Sequence, residues 1–331
     1  PLQKKYKGLI SQFQIFRCIF TGQIDHIPIE PGIYISGHPK ESSPIIVTAN
    51  YIYTYIKVMR ALKGIDAWVL CVDSNGINVW CAARGDNFGN KQLIEAVEAT
   101  GINKISSRKT LILPQLSAGG VAAPLITSES PNFPFNILYG PVWAKYLPQY
   151  LKERPAKKPD KWKLANFTIS HRFRAFITHT TFLLRKIFLI PTIGILLLLF
   201  GLSLFNPFWI NKFWRVGEIW LWVIIANILL ATLFPITNFT RKFIIKGIVF
   251  GTLNVIVLSA LTWLIHDSVI LNLWSFAFYF WLGFFSTMSF SGYSMATSPA
   301  EIQKEYPIFR KIHLSLLLIG LILGGIGFIL I

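Results

Sequence analysis

The chain has 331 residues, room for about two domains. Its mean hydropathy of +0.51 with 14% charged residues is too apolar for an ordinary soluble protein. Of its 32 Lys and Arg, ten lie at positions 152–186 against only Glu153 and Asp160, within a formal net charge of +17. Cations set just before an apolar run point to an anionic membrane surface, at about 1 kcal/mol each, and away from nucleic acid, for which no zinc-finger spacing or RNA-binding signature is present.

Residues 1–42 read as an N-terminal extension without a recognisable secretory signal, and both ends, Pro1 and Ile331, read as open. From residue 43 short β-rich runs alternate with helical stretches. Residues 45–48 read as a strand and 52–62 as a helix. Ala67–Val72 is a continuous apolar strand, suited to a sheet covered on both faces. Residues 91–100 are an amphipathic helix with Leu93, Ile94 and Val97 inward, stopped by Gly101. Thr110–Leu113 is a strand leading into the small-residue loop Ser117-Ala118-Gly119-Gly120. Residues 135–139 form the last strand and 141–151 a helix with Pro at its start, kinked or shortened by Pro148. The alternation predicts an open α/β sheet over residues 43–151, with ligands beyond the carboxyl ends of its strands. Neither G-x-G-x-x-G nor a P-loop is present, so nucleotide binding has no support. Residues 152–186 read as a basic linker broken by Pro155 and Pro159.

Beyond it, residues 187–205, 217–236, 243–265, 269–288 and 312–331 are each long and apolar enough to span a bilayer. Cations before the first span, Arg241 and Lys242, and Lys304, Arg310 and Lys311 place those loops on the cytoplasmic side. The predicted result is a multi-pass protein of the cytoplasmic membrane, its soluble domain in the cytoplasm and its C-terminus outside; Lys212 and Arg215 in the first outer loop run against the rule. Lys246 is expected to snorkel to the headgroups. His266 and Asp267 read as a solvated turn, and no paired acids and bases suggest a proton relay. The aromatics Trp274, Phe276, Phe278, Tyr279, Phe280, Trp281, Phe284 and Phe285 fit lipid-facing and interfacial positions, with a cofactor-facing surface as the alternative.

Chemistry concentrates after Val72. Of the three cysteines, Cys18, Cys71 and Cys81, none forms C-x-x-C, which excludes an iron–sulfur cluster or Cys-rich zinc site made by this chain alone, and the odd count argues against a disulfide framework. Cys81 follows the turn signal Ser74-Asn75-Gly76 and stands between Trp80 and two alanines. One reading is a buried structural thiol. The other is a ligand to a metal that asks the protein for a single donor, as cobalt in a corrin does; the two alanines would let a flat macrocycle approach. Asn78 reads either as a turn or cap residue or as a cofactor contact. His38 reads as a loop residue and Arg108 as a surface contact.

The stretch Asn78-Val79-Trp80-Cys81-Ala82-Ala83 resembles the signature of the mercury-methylating corrinoid proteins of the HgcA family. The likeness extends over Pro31-Gly32-Ile33-Tyr34, residues 43–51, 76–89, 98–101 and 108–116, Tyr139-Gly140-Pro141, and residues 290–299 between the last two spans. The soluble part is more distantly similar to the corrinoid domain of the acetyl-CoA-pathway corrinoid iron–sulfur protein. The resemblance implies a Rossmann-like corrinoid-binding domain followed by five transmembrane helices. It implies a cobalamin-type corrinoid with Cys81 as lower axial ligand to cobalt. Residues Asn78, Val79, Trp80, Cys81, Ala82 and Ala83 would line the lower face. Thr48, Ala49 and Asn50 at one strand end, and Leu113, Pro114, Gln115, Leu116, Gly119 and Gly120 after another, would form further walls. It further implies a methyltransferase taking a methyl group from a one-carbon donor and passing it to Hg(II), with a small dicluster ferredoxin as electron donor. The loop 293–299 reads either as a segment facing the corrin or as a solvated connector. The family continues Gly-Lys-Gly-Thr-Phe-Gly where this chain has Arg84-Gly85-Asp86-Asn87-Phe88-Gly89. That departure leaves open a corrinoid carrier for another acceptor, or a non-catalytic membrane corrinoid-binding protein.

Overall fold

The computed structural model describes residues 4–5, 12–14, 16, 27–153, 158–165, 167–181, 186–266, 269–293, 297 and 299–330. Cys18, Pro155, Asp267, Ser294, Met295, Ala296, Ser298 and the side chain of Trp274 lie outside the described residues. The chain forms two compact units, Pro1–Asn166 and Phe167–Ile331.

The first unit is built on a six-stranded sheet: β1 (Lys4–Lys5), β2 (Gly32–Ser36), β3 (Ile45–Ala49), β4 (Ala67–Val72), β5 (Thr110–Leu113) and β6 (Asn136–Tyr139), in the order β1-β2-β4-β3-β5-β6. Strands β4, β3, β5 and β6 are parallel, whereas β2 pairs antiparallel to β4. The sheet is therefore mixed, and β2 lies in residues that the sequence assigned to an extension. Strands β3 and β4 are buried along their whole length, as continuous apolar runs in a sheet covered on both sides must be.

The pleat divides the core. Ile45, Val47, Ala49, Leu70, Val72, Leu111 and Leu113 pack on one face against α2 (Val79–Ala83), α3 (Asn90–Thr100) and Phe88. Ile46, Val69, Cys71 and Ile112 pack on the other against α1 (Ile52–Ala61), Leu147, Tyr150 and Trp162. Each fully buried aliphatic side chain contributes about 1.5–3 kcal/mol. In α3 the inward residues are Leu93 and Val97, and Gly101 in the left-handed conformation ends it. Three short helices, α4 (Ile102–Ile105), α5 (Ala123–Glu129) and α6 (Leu147–Glu153), complete the covering together with α7 (Asp160–Lys163). The helix expected over residues 141–151 is instead a short 3-10 turn, Ala144–Tyr146, followed by α6; Pro148 sits in the first turn of α6, where its missing N–H costs nothing.

The strand order places a topological switch point between β3 and β5, whose following connections run to opposite sides. The Cys81-bearing α2 packs against the 3-10 turn Gln115–Gly119 that follows β5.

The second unit is helical: α8 (Ile169–Thr181), α9 (Lys186–Ser203), α10 (Phe208–Leu233), α11 (Phe243–His266), α12 (Val269–Tyr293) and α13 (Pro299–Leu330). Helices thus occupy each of the five apolar stretches. Among the described residues two segments, Phe208–Thr237 and Phe243–His266, are long and apolar enough to cross a membrane, with a shorter apolar stretch at Leu189–Ser203. Helices α11 and α12 approach closely through Gly247, Gly251 and Gly283. A Cβ on Gly251 would lie 2.9 Å from the Phe280 carbonyl oxygen, so only glycine permits the spacing.

Charged residues depart from the expected pattern. Lys212 and Arg215 lie on α10 and not in a loop, and Lys304, Arg310 and Lys311 lie on α13. Lys246 does not reach outward: it is 1% exposed, with its ammonium 5.0 Å from the Phe234 ring. His266 is the last residue of α11, and its ring meets Glu218 at 2.7 Å, an acid–base pair formed across 48 positions of sequence. Arg215 and the Trp222 indole N–H also engage Glu218, so the solvated-turn reading of His266 is replaced by a packed polar cluster.

Candidate functional site

A tight turn after β4 presents the cysteine helix, and one buried amide organises it. Asn50, just past the end of β3, is 3% exposed; its Oδ1 accepts from the Ser74 N–H and hydroxyl at 2.9 Å and from the Gly76 N–H at 3.1 Å. Its Nδ2 donates to the Ile29 carbonyl and to Asp73. Gly76 has φ +69, and a Cβ there would lie 2.8 Å from the Pro28 nitrogen, so the turn needs glycine on both counts.

Asn78 then caps α2. Its Oδ1 accepts the Cys81 N–H at 3.0 Å, and its Nδ2 donates to Cys81 Sγ at 3.3 Å. Val79, Ala82 and Ala83 turn into the core, whereas Trp80 and Cys81 are half-buried and reach the surface. The following loop folds back beneath the helix. The Asn87 N–H bonds the Ala82 carbonyl at 2.9 Å, and the Asn87 side chain accepts from Asn75. Gln92 holds the far end, accepting from the Gly89 N–H and donating to the Asp86 carbonyl. Asp86 adopts φ +59, a conformation glycine takes freely. The exposed Arg84 guanidinium lies 5.9 Å from the Trp80 ring, and its stem borders Gly119.

Against this helix stands the loop after β5. Gly120 abuts the backbone of Ala83 and Phe88 so closely that any Cβ would overlap their carbonyl oxygens. Ser117 closes the loop by donating to the Pro114 carbonyl, and Leu116 packs at the edge of the core. Gln115 points elsewhere: it accepts from the Lys158 ammonium, which also donates to the Tyr139 and Gly140 carbonyls. Burial, and then the neighbouring Lys163 cation, pull that ammonium below its ordinary pKa.

The structure therefore brings Asn78, Val79, Trp80, Cys81, Ala82 and Ala83 together with Leu116, Gly119 and Gly120. Ala49 and Leu113 lie beneath them in the shared core. Asn50 serves the turn through its whole side chain. Thr48 falls on the opposite face: strand alternation and its pairing with Cys71 turn it away from α2, where its buried hydroxyl has no hydrogen-bond partner. Cys71 is fully buried on that same face, and burial pushes its thiol up from the ordinary range, as suits a core residue. Arg108 makes a surface contact with the Ser42 carbonyl, and the His38 N–H bonds Asp66. Sequence reading overlooked Asn87 and Gln92; a Gln at the third helical position after Gly89, able to accept the N-cap N–H, was the available signal for the second.

The donor set fits a group that needs one protein ligand. Cys81 is a soft, half-buried thiol that reaches the surface, while Ala82 and Ala83, turned into the core, and Gly120, pressed against the helix backbone, hold the segment that carries it. Among the described residues no three His, Cys, Asp or Glu side chains come together as a metal site of their own.

Residues 4–122 match the family described as CO dehydrogenase/acetyl-CoA synthase delta subunit. The chain is also similar to subunit gamma of the acetyl-CoA decarbonylase/synthase complex from Methanopyrus kandleri, at 29% identity over 139 residues, 41% of this chain and 29% of the relative. The subunit gamma of Methanocaldococcus jannaschii is 32% identical over 112 residues, 33% of this chain and 23% of the relative. The gamma 2 subunit of Methanosarcina thermophila is 28% identical over 148 residues, 44% and 31%. The chain spans less than a third of the length of these relatives. The first unit thus carries a domain of the CO dehydrogenase/acetyl-CoA synthase delta-subunit family, homologous to the gamma subunits of acetyl-CoA decarbonylase/synthase complexes.

Proposed function

We propose that this chain is a membrane-bound corrinoid methyl carrier with Cys81 as the lower axial ligand to cobalt. The observation that carries the reading is the half-buried Cys81 sulfur on an Asn78-capped helix, at the carboxyl edge of the parallel strands of the mixed sheet and next to its switch point. A corrinoid bound there would supply a cobalt centre that accepts and releases a methyl group. Cys81 would hold the cobalt through its sulfur, a soft and strongly donating ligand as a thiolate. Ala82, Ala83 and Gly120 let the helix pack tightly on the core and on the loop after β5, and the Asn50 and Asn87 hydrogen bonds hold the helix still. The chain carries no cluster of its own by its cysteine spacing, so reducing electrons would come from a small ferredoxin. The acceptor proposed first is Hg(II), to give methylmercury. The helical unit would anchor the protein, through two to five spans, in a membrane whose anionic surface suits the basic stretch at 152–186.

A second reading of the acceptor rests on Arg84, which sets a cation beside Trp80 and Gly119 where the resembled family has glycine. A different metal, metalloid or one-carbon acceptor would then be served by the same cobalt site. Purified protein reconstituted with cobalamin tests the cofactor: Cys81→Ala should lose the thiolate-ligated visible spectrum, and an unchanged spectrum and affinity would sink the ligand assignment. Incubation of the methylated, reduced protein with mercuric ion separates the acceptors. Methylmercury supports the first, and its absence, with transfer to another acceptor, the second. Retention in the membrane fraction after alkaline extraction tests the anchor.

A further inference from the structure

Asn78 makes two hydrogen bonds with one residue. Its Oδ1 takes the Cys81 N–H and its Nδ2 gives a hydrogen to Cys81 Sγ, at 3.0 and 3.3 Å. The two contacts use opposite ends of a single planar amide, so the cap bond fixes where the N–H points. A cap interaction alone would leave that N–H to solvent. We infer that Asn78 is a positioning residue that holds the Cys81 sulfur in one rotamer and lowers its donor strength toward a bound metal. The inference rests on the ligand reading proposed above.

The chemistry is that of any hydrogen-bonded thiolate: an N–H directed at sulfur draws electron density from it, weakens its donation, and makes the lower oxidation state of the metal easier to reach. Asparagine suits both tasks because it carries an acceptor and a donor on one group. Aspartate caps a helix as well as asparagine does but, ionised, has no N–H to offer. Glycine is also tolerated at the cap and offers neither. These two replacements separate helix capping from the contact with sulfur.

The test uses the full chain in detergent, loaded with cobalamin, as wild type, Cys81→Ala, Asn78→Asp and Asn78→Gly. Readouts are the visible spectrum, the midpoint potential of the cobalt couple and the melting curve. Cys81→Ala should remove the thiolate-dependent bands; if it does not, the ligand reading fails and this inference goes with it. With ligation established, Asn78→Asp should melt as the wild type does, yet shift the thiolate bands and lower the potential. Asn78→Gly should lower the potential without any added charge. Wild-type bands and potential in both folded Asn78 variants would overturn the inference. A shift in the aspartate variant alone would overturn it too, since that is a charge effect.

Discussion

Replacing Gly120 by alanine adds one methyl group where three backbone atoms already stand. The new Cβ would overlap the Phe88 carbonyl oxygen and lie 2.6 Å from the Ala83 carbonyl oxygen and 2.9 Å from Ala83 Cα. The residue's own backbone, at φ −122, is one any amino acid adopts, so the whole effect is steric. Backbone cannot swing aside as a lysine tip can; the 115–120 loop and the cysteine helix must part. Overpacking of this kind costs about 1–3 kcal/mol, and three backbone overlaps put it at about 3. For a unit of this size that lowers the melting temperature by roughly 6–12 °C. Its neighbour is the control: a Cβ on Gly119 meets only the Arg84 stem, at an ordinary 3.6 Å, so Gly119→Ala should leave stability within about 0.5 kcal/mol. Thermal melting followed by tryptophan fluorescence, with cobalamin affinity measured on the same samples, reads both variants. A Gly120→Ala protein that melts and binds as the wild type, or equal losses in the two variants, would refute the reasoning.

Asn50→Ala removes the acceptor of the Ser74 and Gly76 N–H groups and leaves both buried, while the Ser74 hydroxyl keeps the Ile77 carbonyl, so denaturant unfolding should show a loss of at least about 2 kcal/mol. In the helical unit, Gly283→Ala would press a Cβ onto the Phe250 carbonyl and within 2.8 Å of the Asn254 amide, whereas nothing lies within 4 Å of a Cβ on Gly217. Melting in detergent should therefore fall for the first variant and stay unchanged for the second. Stability should also decline with alkali. Burial, aided by Cys71, pushes Tyr34 up to about 12 from 10.0, and burial raises Cys71 from 9.0, so both keep their protons in the fold after the unfolded chain has lost them. The unfolded state then binds fewer protons than the native one, and stability falls from about pH 9 upward, with Tyr34 alone removing about 2 kcal/mol by pH 12. Unfolding midpoints between pH 8 and 11, paired with tyrosinate absorbance, check the sign; a midpoint that rises with pH contradicts it.

Local patterns in the sequence were enough for much of this molecule. Ala67–Val72 could be read as a strand because a segment buried on both faces must be apolar throughout. Five long helices could be read from apolar runs, and Cys81 stood out because a turn signal and two small residues framed it. Contacts between distant segments had no such local sign. The antiparallel β2 depends on pairing with β4, which lies some 30 residues on, and nothing in Gly32–Ser36 alone announces the partner. Thr48 lies next to Ala49 in sequence but on the other face, because parity along a strand selects a face only after packing decides which side receives α2. The difference between Gly119 and Gly120, the burial of Lys246 and the meeting of Glu218 with His266 all depend on which backbones come within a few ångströms. Sequence thus singled out Cys81 as the thiol of the candidate site. Tertiary structure decided which side chains face Cys81, and it alone placed the Asn78 amide on the sulfur.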